Sequence, residues 1–510
     1  MLTPIANGDS RLSFWSRVRE FAVPPSMIET ATARRAVGDW AGACAAAGFD
    51  IDFDMRSLAG GHGQELAARV RADLRHLAPD LLRWHMPRIA PDGLLRPGLT
   101  ITLARYPAAG RDGPHAVHLV ARTPPAWADA GQRIGLALWD GSRSEAGARG
   151  HPHPRPSRRY RLDLHRHLWD ARRAGELRVR SGADRPAADG PPPPGPEPQV
   201  PQVPQVPRTE MLGTEMLGTL ASERGCAVER WADEAATVLR AEGRSAGSVL
   251  VRCGTRRRLV LDLDPGPGPG AGAGAGAGAG DRTGLGDGSS DSSNGPPALR
   301  IRAVSGDVGA TGSLPVLPDA ATWVLPDLEL IRAGAIEVER LHPLVASALV
   351  PDHVRSGPSE AADRAERARI VECRGERHRI GLVDGVLVAL DHDPAELHRE
   401  ELLVELTGTP LPCLRAIDEA HRRPDCLSGV RERLDHGDIA GALAVVEGLL
   451  GPEAVLRDGP LRDELESAAR RRIAYGLYRA GLVDPAPGRV RSHVGRRPSR
   501  HRRPRVATFF

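Results

Sequence analysis

The chain has no lysine: all 69 basic side chains among its 510 residues are arginine. That absence excludes whole classes of chemistry. A P-loop sets a lysine on the β- and γ-phosphates of its nucleotide, and a protein kinase needs its strand lysine. Pyridoxal enzymes and Schiff-base aldolases use a lysine amine as nucleophile. None of these can exist here in its usual form. Arginine keeps company with abundant alanine, glycine and proline, all residues with GC-rich codons, which gives the bias a genomic origin. Its physical consequence stands either way: a permanently charged planar fork that suits carboxylate and phosphate partners.

Aromatics are scarce, at 4%, so cores must be built from leucine, valine and alanine. Cysteine is sparse: Cys44, Cys226, Cys253, Cys373, Cys413 and Cys426 are dispersed, with no C-x-x-C pair. They read as small buried hydrophobes of a reducing compartment. The first residues lack a basic flank followed by an apolar run, and no stretch approaches 18 uninterrupted apolar residues, so neither a signal peptide nor a transmembrane helix is expected. A cytoplasmic protein without a membrane partner follows as the expectation. G-x-S-x-G and H-E-x-x-H are missing as well, which removes two common hydrolase signatures.

What is present is ordinary in bulk: 41% hydrophobic and 26% charged residues, with a net charge of +4. The length suggests about three domains. Two low-complexity stretches punctuate the chain. From 185 to 219 it holds Pro191 to Pro194, then Q-V-P three times and E-M-L-G-T twice. Proline at every third residue matches the turn of a polyproline II helix, so this is read as a semi-rigid linker. From 265 to 297 alternating Gly-Ala and a Ser/Asp/Gly tract have almost nothing to bury, and disorder is expected.

The expected fold class is α+β and multi-domain, with antiparallel sheets, flanking helices, a helical C-terminal part and disordered linkers and tail. An α+β domain is expected over 1–184. Asp39 is the N-cap of a short helix from Trp40, after a helix end at Gly38. A longer amphipathic helix is expected over Gln64 to Trp84, with Leu66, Val70, Leu74, Leu77 and Leu81 on one face. Four antiparallel strands are then read from period-two alternation around Leu99–Leu103, Val117–Leu119, Leu136–Leu138 and Tyr160–Leu164. A small α+β domain over 220–350 carries the Gly-Ala insert between two strands of one sheet. A third domain over 361–483 opens with a hairpin turned by Asp384-Gly385, followed by Asp393 capping a helix and by further helices. Gly437-Asp438-Ile-Ala-Gly-Ala echoes Gly38-Asp39-Trp-Ala-Gly-Ala; both read as helix–Gly–Asp–helix turns. The tail, 484–510, has eight arginines from Arg489 to Arg505 and no acid among them, and is expected to be disordered.

Four constellations could carry chemistry. His151, His153, His165 and His167 lie beside Asp163 and Asp170, a set that could ligate a divalent metal. They sit among many arginines that would repel a cation, and an exposed basic surface is the preferred reading. Asp391-His392-Asp393 with His398 resembles a metal or acid/base site, but Asp393 is accounted for as a cap. Cys413, His421 and Cys426 lack the paired close spacing of structural zinc sites. The arginines are the fourth. Arg158, Arg159, Arg161 and Arg166 in one patch, and Arg496, Arg497, Arg500, Arg502 and Arg503 in the tail, suit an acidic protein surface or phosphates. Few aromatics are interleaved with them, so sequence-specific nucleic-acid readout is not supported.

No catalytic, cofactor-binding or metal residue is assigned from the sequence. The expected function is a cytoplasmic interaction or scaffold protein whose arginine-rich tail docks an acidic partner. The alternatives are a nucleic-acid-associated accessory protein and a metal-dependent hydrolase centred on His165 or His392.

Overall fold

The computed structural model describes residues 4–107, 116–128, 132–141, 151–184, 219–220, 225–254, 257–263, 299–303, 312–353, 369–373, 376–383, 386–389, 391–393, 395, 398–399, 411–415, 417, 427–450, 458–482 and 508–509. The linker 185–218, the Gly-Ala insert and the tail arginines lie outside this set.

Helices open the chain: α1 (Pro4–Phe21), α2 (Pro25–Ala36) and α3 (Trp40–Ala46), then strand β1 (Phe49–Ile51) and helices α4 (Met55–His62), α5 (Gln64–His76) and α6 (Pro79–Trp84). Asp39 caps α3 as its side chain accepts from the Gly42 amide at 2.8 Å. The long helix expected over 64–84 is instead two. Leu77 pairs with Asp170 in an isolated bridge and Pro79 starts α6, because a proline inside a helix removes a donor and clashes with the preceding turn.

Strands β2 (Arg88–Ile89) and β3 (Leu94–Leu95) form a short ribbon, followed by β4 (Thr100–Tyr106), β5 (Val117–Arg122) and β6 (Ile134–Trp139). The main sheet has the order β1-β6-β5-β4, antiparallel except for the parallel pair β1–β6. Its fourth strand is therefore β1, not Tyr160–Leu164 as the alternation suggests. That stretch makes one bridge, Thr102 to Arg161, and otherwise turns. Its apolar residues are buried all the same: Tyr160 and Leu162 enter the core, and Trp169 Nε1 donates to the Leu162 carbonyl at 3.0 Å. Alternating burial does not require a strand when turns can deliver it.

After helix α7 (Leu177–Ser181) comes α8 (Trp231–Ala241), packed on the three-stranded antiparallel sheet β7 (Gly247–Cys253), β8 (Arg257–Leu263) and β9 (Leu299–Ala303). Leu263 pairs with Leu299 across the insert, as expected of a long connection between neighbouring strands. The short helices α9 (Asp319–Thr322), α10 (Pro326–Arg332) and α11 (Pro343–Leu349) follow. Ala321 of α9 joins the β7–β9 core, but Leu330, Val345 and Leu349 join the N-terminal one. The chain segment 220–350 thus divides between two cores.

Strands β10 (Arg369–Cys373), β11 (Glu376–Val383) and β12 (Val386–Ala389) form a third antiparallel sheet, with Val383 opposite Val386. Helices α12 (Leu427–His436), α13 (Ile439–Leu450) and α14 (Pro460–Arg479) have a core of their own around Val430, Leu434, Ala442 and Leu461. Strand β13 (Thr508–Phe509) pairs with β2, so the last residues of the expected disordered tail are tied to the ribbon at 88–95. Among the described residues no helix is long and apolar enough to cross a membrane.

Candidate functional site

The arginine patch is not the open cationic surface read from the sequence. Arg159 forms a two-bond ion pair with Asp319, at 2.9 and 2.6 Å. Arg161 pairs with Asp163 at 2.8 Å and also meets Glu242. Arg166 pairs with Asp73, and with Asp170 at 3.2 Å, over the face of Trp169. Arg158 is exposed and donates to the Gly312 carbonyl at 3.0 Å. Carboxylates of the same stretch, Asp163 and Asp170, and of three other parts of the chain, Asp73, Glu242 and Asp319, thus match this charge. Arg496, Arg497, Arg500, Arg502 and Arg503 lie outside the described residues.

Three histidines of this stretch, His151, His165 and His167, are likewise buried, whereas His153 is exposed. His151 accepts from the His153 amide at Nδ1 and meets the Thr123 carbonyl through Nε2 at 3.0 Å. Burial lowers it to about 4, so it is a neutral brace. His165 Nε2 lies 3.1 Å from Glu234, which Arg180 also grips with two bonds. Burial alone would raise the Glu234 carboxyl, but His165 and Arg180 hold it below the usual carboxylate range.

Two histidine and cysteine groups that the sequence kept apart meet. His392, just past β12, and Cys413, in the helical turn 412–415, come together with His378 of β11. His378 belongs to no motif and carries no sequence signal, since only the strand register brings it level with the 391–393 turn. Asp393 is a cap, accepting from the Ala395 amide at 3.0 Å. His421 and Cys426 lie outside the described residues.

Polar side chains also meet in a concavity between the main sheet and helix α14. A cleft of about 350 Å³ is lined by Asp52, Arg122, His151, Tyr475, Tyr478 and Arg479, among others. Its walls come from stretches more than 300 residues apart, which is why no sequence motif announces it. Arg133 holds Asp50 with two bonds, at 2.8 and 2.6 Å, and the Tyr475 hydroxyl donates to the same carboxylate. Arg479 pairs with Asp52. Tyr478 packs edge-on against Trp127, with ring centres 5.4 Å apart. Burial raises both tyrosine hydroxyls, as do Asp50 beside Tyr475 and Asp52 beside Tyr478, so both stay protonated donors. Arg122 and Arg479 thus stand in the wall of this cleft beside the Asp52 carboxylate. A second cleft of about 360 Å³ shares Asp52 and Arg122 and continues toward Ser57, His62 and Asp140. The volumes suit a small molecule, and the arginine and tyrosine donors suit an anion.

No protein-family model, curated protein or solved structure matches the chain.

Proposed function

We propose that the chain is a non-catalytic binding protein of the cytoplasm that holds a small organic anion, a carboxylate or phosphate ester, in the cleft between the main sheet and α14. One observation carries this reading: Arg122, Arg479, Tyr475 and Tyr478 line a cavity of small-molecule size. Arginine forks recognise carboxylate and phosphate with two parallel bonds. His151, with both ring nitrogens engaged by backbone, supports the wall rather than a proton-transfer role.

Thermal unfolding and calorimetric titration of the full chain against phosphate, pyrophosphate, citrate and sugar phosphates test it. At least one should raise the unfolding temperature, the added stability reaching about 2.7 kcal/mol at a hundredfold excess over Kd and growing with the logarithm of concentration. Arg122→Gln should abolish the effect while leaving the circular dichroism unchanged. No response to any of the anions, or an unchanged response in the variant, overturns the reading.

A second reading concerns the arginine-rich stretch 489–505 as a dock for an acidic protein partner. It is favoured by the absence of any acid among those eight arginines, whereas Arg159, Arg161 and Arg166 are neutralised within the chain. Truncation would also remove β13, so the clean comparison replaces Arg496, Arg497, Arg500, Arg502 and Arg503 with glutamine. Loss of one stoichiometric partner in affinity purification supports docking. Recovery of nuclease-sensitive material alone, weakening steeply with salt, points to the nucleic-acid alternative instead.

A further inference from the structure

We infer that His378, His392 and Cys413 form a zinc-binding site, independent of the anion cleft and sharing no residue with it. The three donor atoms lie within 4.8 Å of one another. His378 Nδ1 is 2.6 Å from His392 Nε2 and 4.0 Å from Cys413 Sγ. A tetrahedral zinc with bonds of about 2.0 Å to nitrogen and about 2.3 Å to sulfur sets N···N near 3.3 Å and N···S near 3.6 Å. Changes of less than about 1 Å in these two separations, and of at most about 1.2 Å in the third, therefore convert the observed triangle into a coordination shell. The two rings stand 75° apart with centres at 4.2 Å.

The donor types select the metal. One thiolate and two imidazoles suit zinc and copper, and disfavour magnesium and calcium, which take oxygen ligands. Zinc is the metal of choice in a reducing compartment, where dispersed cysteines without disulfide pairing read as ligands or core residues. Three protein donors assign three of the four tetrahedral positions.

Local structure gives the site a purpose. His378 comes from β11, His392 from the turn after β12, and Cys413 from the helical turn packed beneath the sheet. Among the described residues the core under this sheet is small: Ala389, Leu411 and Cys413 are buried, with Val371, Leu414 and Ile417 against them. A metal clip that binds only the folded arrangement stabilises the packing of the helical turn on the sheet. The fully buried Cys413 sulfur would place the metal–thiolate bond in an apolar shell that shields it from water and oxidants.

The test uses the full chain, purified without chelators or immobilised-metal resin. Elemental analysis should find one zinc per chain. After removal of that metal, titration with cobalt(II) should give tetrahedral visible bands and a thiolate-to-cobalt charge-transfer absorption, both lost on adding one equivalent of zinc. Cys413→Ser should remove the charge-transfer band, and Cys44→Ser, at a buried thiol in helix α3, should keep it. His392→Asn tests the site without disturbing the buried sulfur, and should weaken cobalt binding by on the order of a hundredfold or more. Metal-free protein that gives no charge-transfer band with cobalt overturns the inference, as does a band that survives Cys413→Ser. Stoichiometric copper in place of zinc overturns the choice of metal.

Discussion

Arg19 and Asp327, on helices α1 and α10, form a two-bond ion pair closed to solvent, with Nε to Oδ1 at 2.8 Å and Nη2 to Oδ2 at 2.9 Å. The guanidinium lies between the indoles of Trp15 and Trp84, 4.9 and 4.5 Å from their centres. Trp84 also donates from Nε1 to Asp327 and receives Arg19 Nη1 on its carbonyl. Removing one partner of a buried pair strands the other charge. Asp327→Ala should therefore destabilise the N-terminal core by roughly 3–5 kcal/mol, seen as a lower urea midpoint. Arg19→Met with Asp327→Leu should recover most of that loss, and equal losses in the single and double variants would refute the account.

The two Gly–Asp helix turns make a matched pair. Gly38 and Gly437 both have left-handed backbone, with φ of 78° and 85°, and Asp39 and Asp438 cap the next helix by accepting from Gly42 and Gly441 at 2.8 and 2.9 Å. A Cβ on Gly42 or Gly441 would overlap the capping carboxylate. Asp39→Ala should cost about 1 kcal/mol. Asp438→Ala should cost more: each aspartate also pairs with an arginine, Arg34 at 3.3 Å and Arg433 at 2.8 Å, but Asp438 is buried and Asp39 only half-buried. Serine at either position should retain most of the stability, and chemical denaturation curves compare the set.

Stability should fall as pH drops below 6.5. Burial holds His151 at about 4, and burial with the nearby Arg88 and Arg83 holds His436 at about 3, against an ordinary 6.5. Between pH 6.5 and about 4 the unfolded chain binds these two protons and the folded chain does not. Each group thus removes about 1.4 kcal/mol per pH unit over that window, and neither has any effect above it. Unfolding free energies measured from pH 7.5 to 4.5 check the slope, and His151→Gln should reduce it by one group's share.

Tyr475→Phe should loosen α14 from the sheet. Its hydroxyl is the hydrogen bond from that helix to Asp50, and a bond to a charged group contributes about 1.5–3 kcal/mol. Faster limited proteolysis within 458–482 and weaker anion binding are expected together. A change in binding without a change in proteolysis would place the hydroxyl on the ligand instead.

The 35 residues from 264 to 298 connect β8 to β9, which pair directly. Replacing them with a five-residue turn shortens the closed loop sevenfold, nearly three doublings, and should stabilise the β7–β9 sheet by roughly 1–2 kcal/mol. Thermal denaturation of the shortened chain measures it, and destabilisation would show that the insert makes contacts of its own.

Much of the local structure was legible. Helix α3 starts at Trp40 with Asp39 as its cap, because a short acceptor side chain at that position satisfies an otherwise unpaired amide of the first turn. The hairpin around 384–385 follows from Asp-Gly between alternating hydrophobics, and its register leaves two residues between Val383 and Val386. The misread elements failed where tertiary contacts override periodicity. Strand β1 is only three residues long and pairs in parallel with β6, 85 positions later, and so short a strand has no alternation to detect. Residues 160–164 alternate correctly but spend their burial on turns.

Short-range physics, acting within a few residues, let the sequence by itself determine the capped helices, the tight hairpin, the insertion point between two strands and the exclusion of lysine chemistry. The pairing of charges was decided only in three dimensions. With 69 identical cationic side chains and 65 carboxylates, nothing local distinguishes an arginine that meets Asp319 from one that faces solvent. The same holds for the anion cleft and the His378–His392–Cys413 triangle. Each is assembled from separate stretches of chain, and their meeting is fixed by how the sheets and helices bury their apolar faces, not by any spacing along the chain.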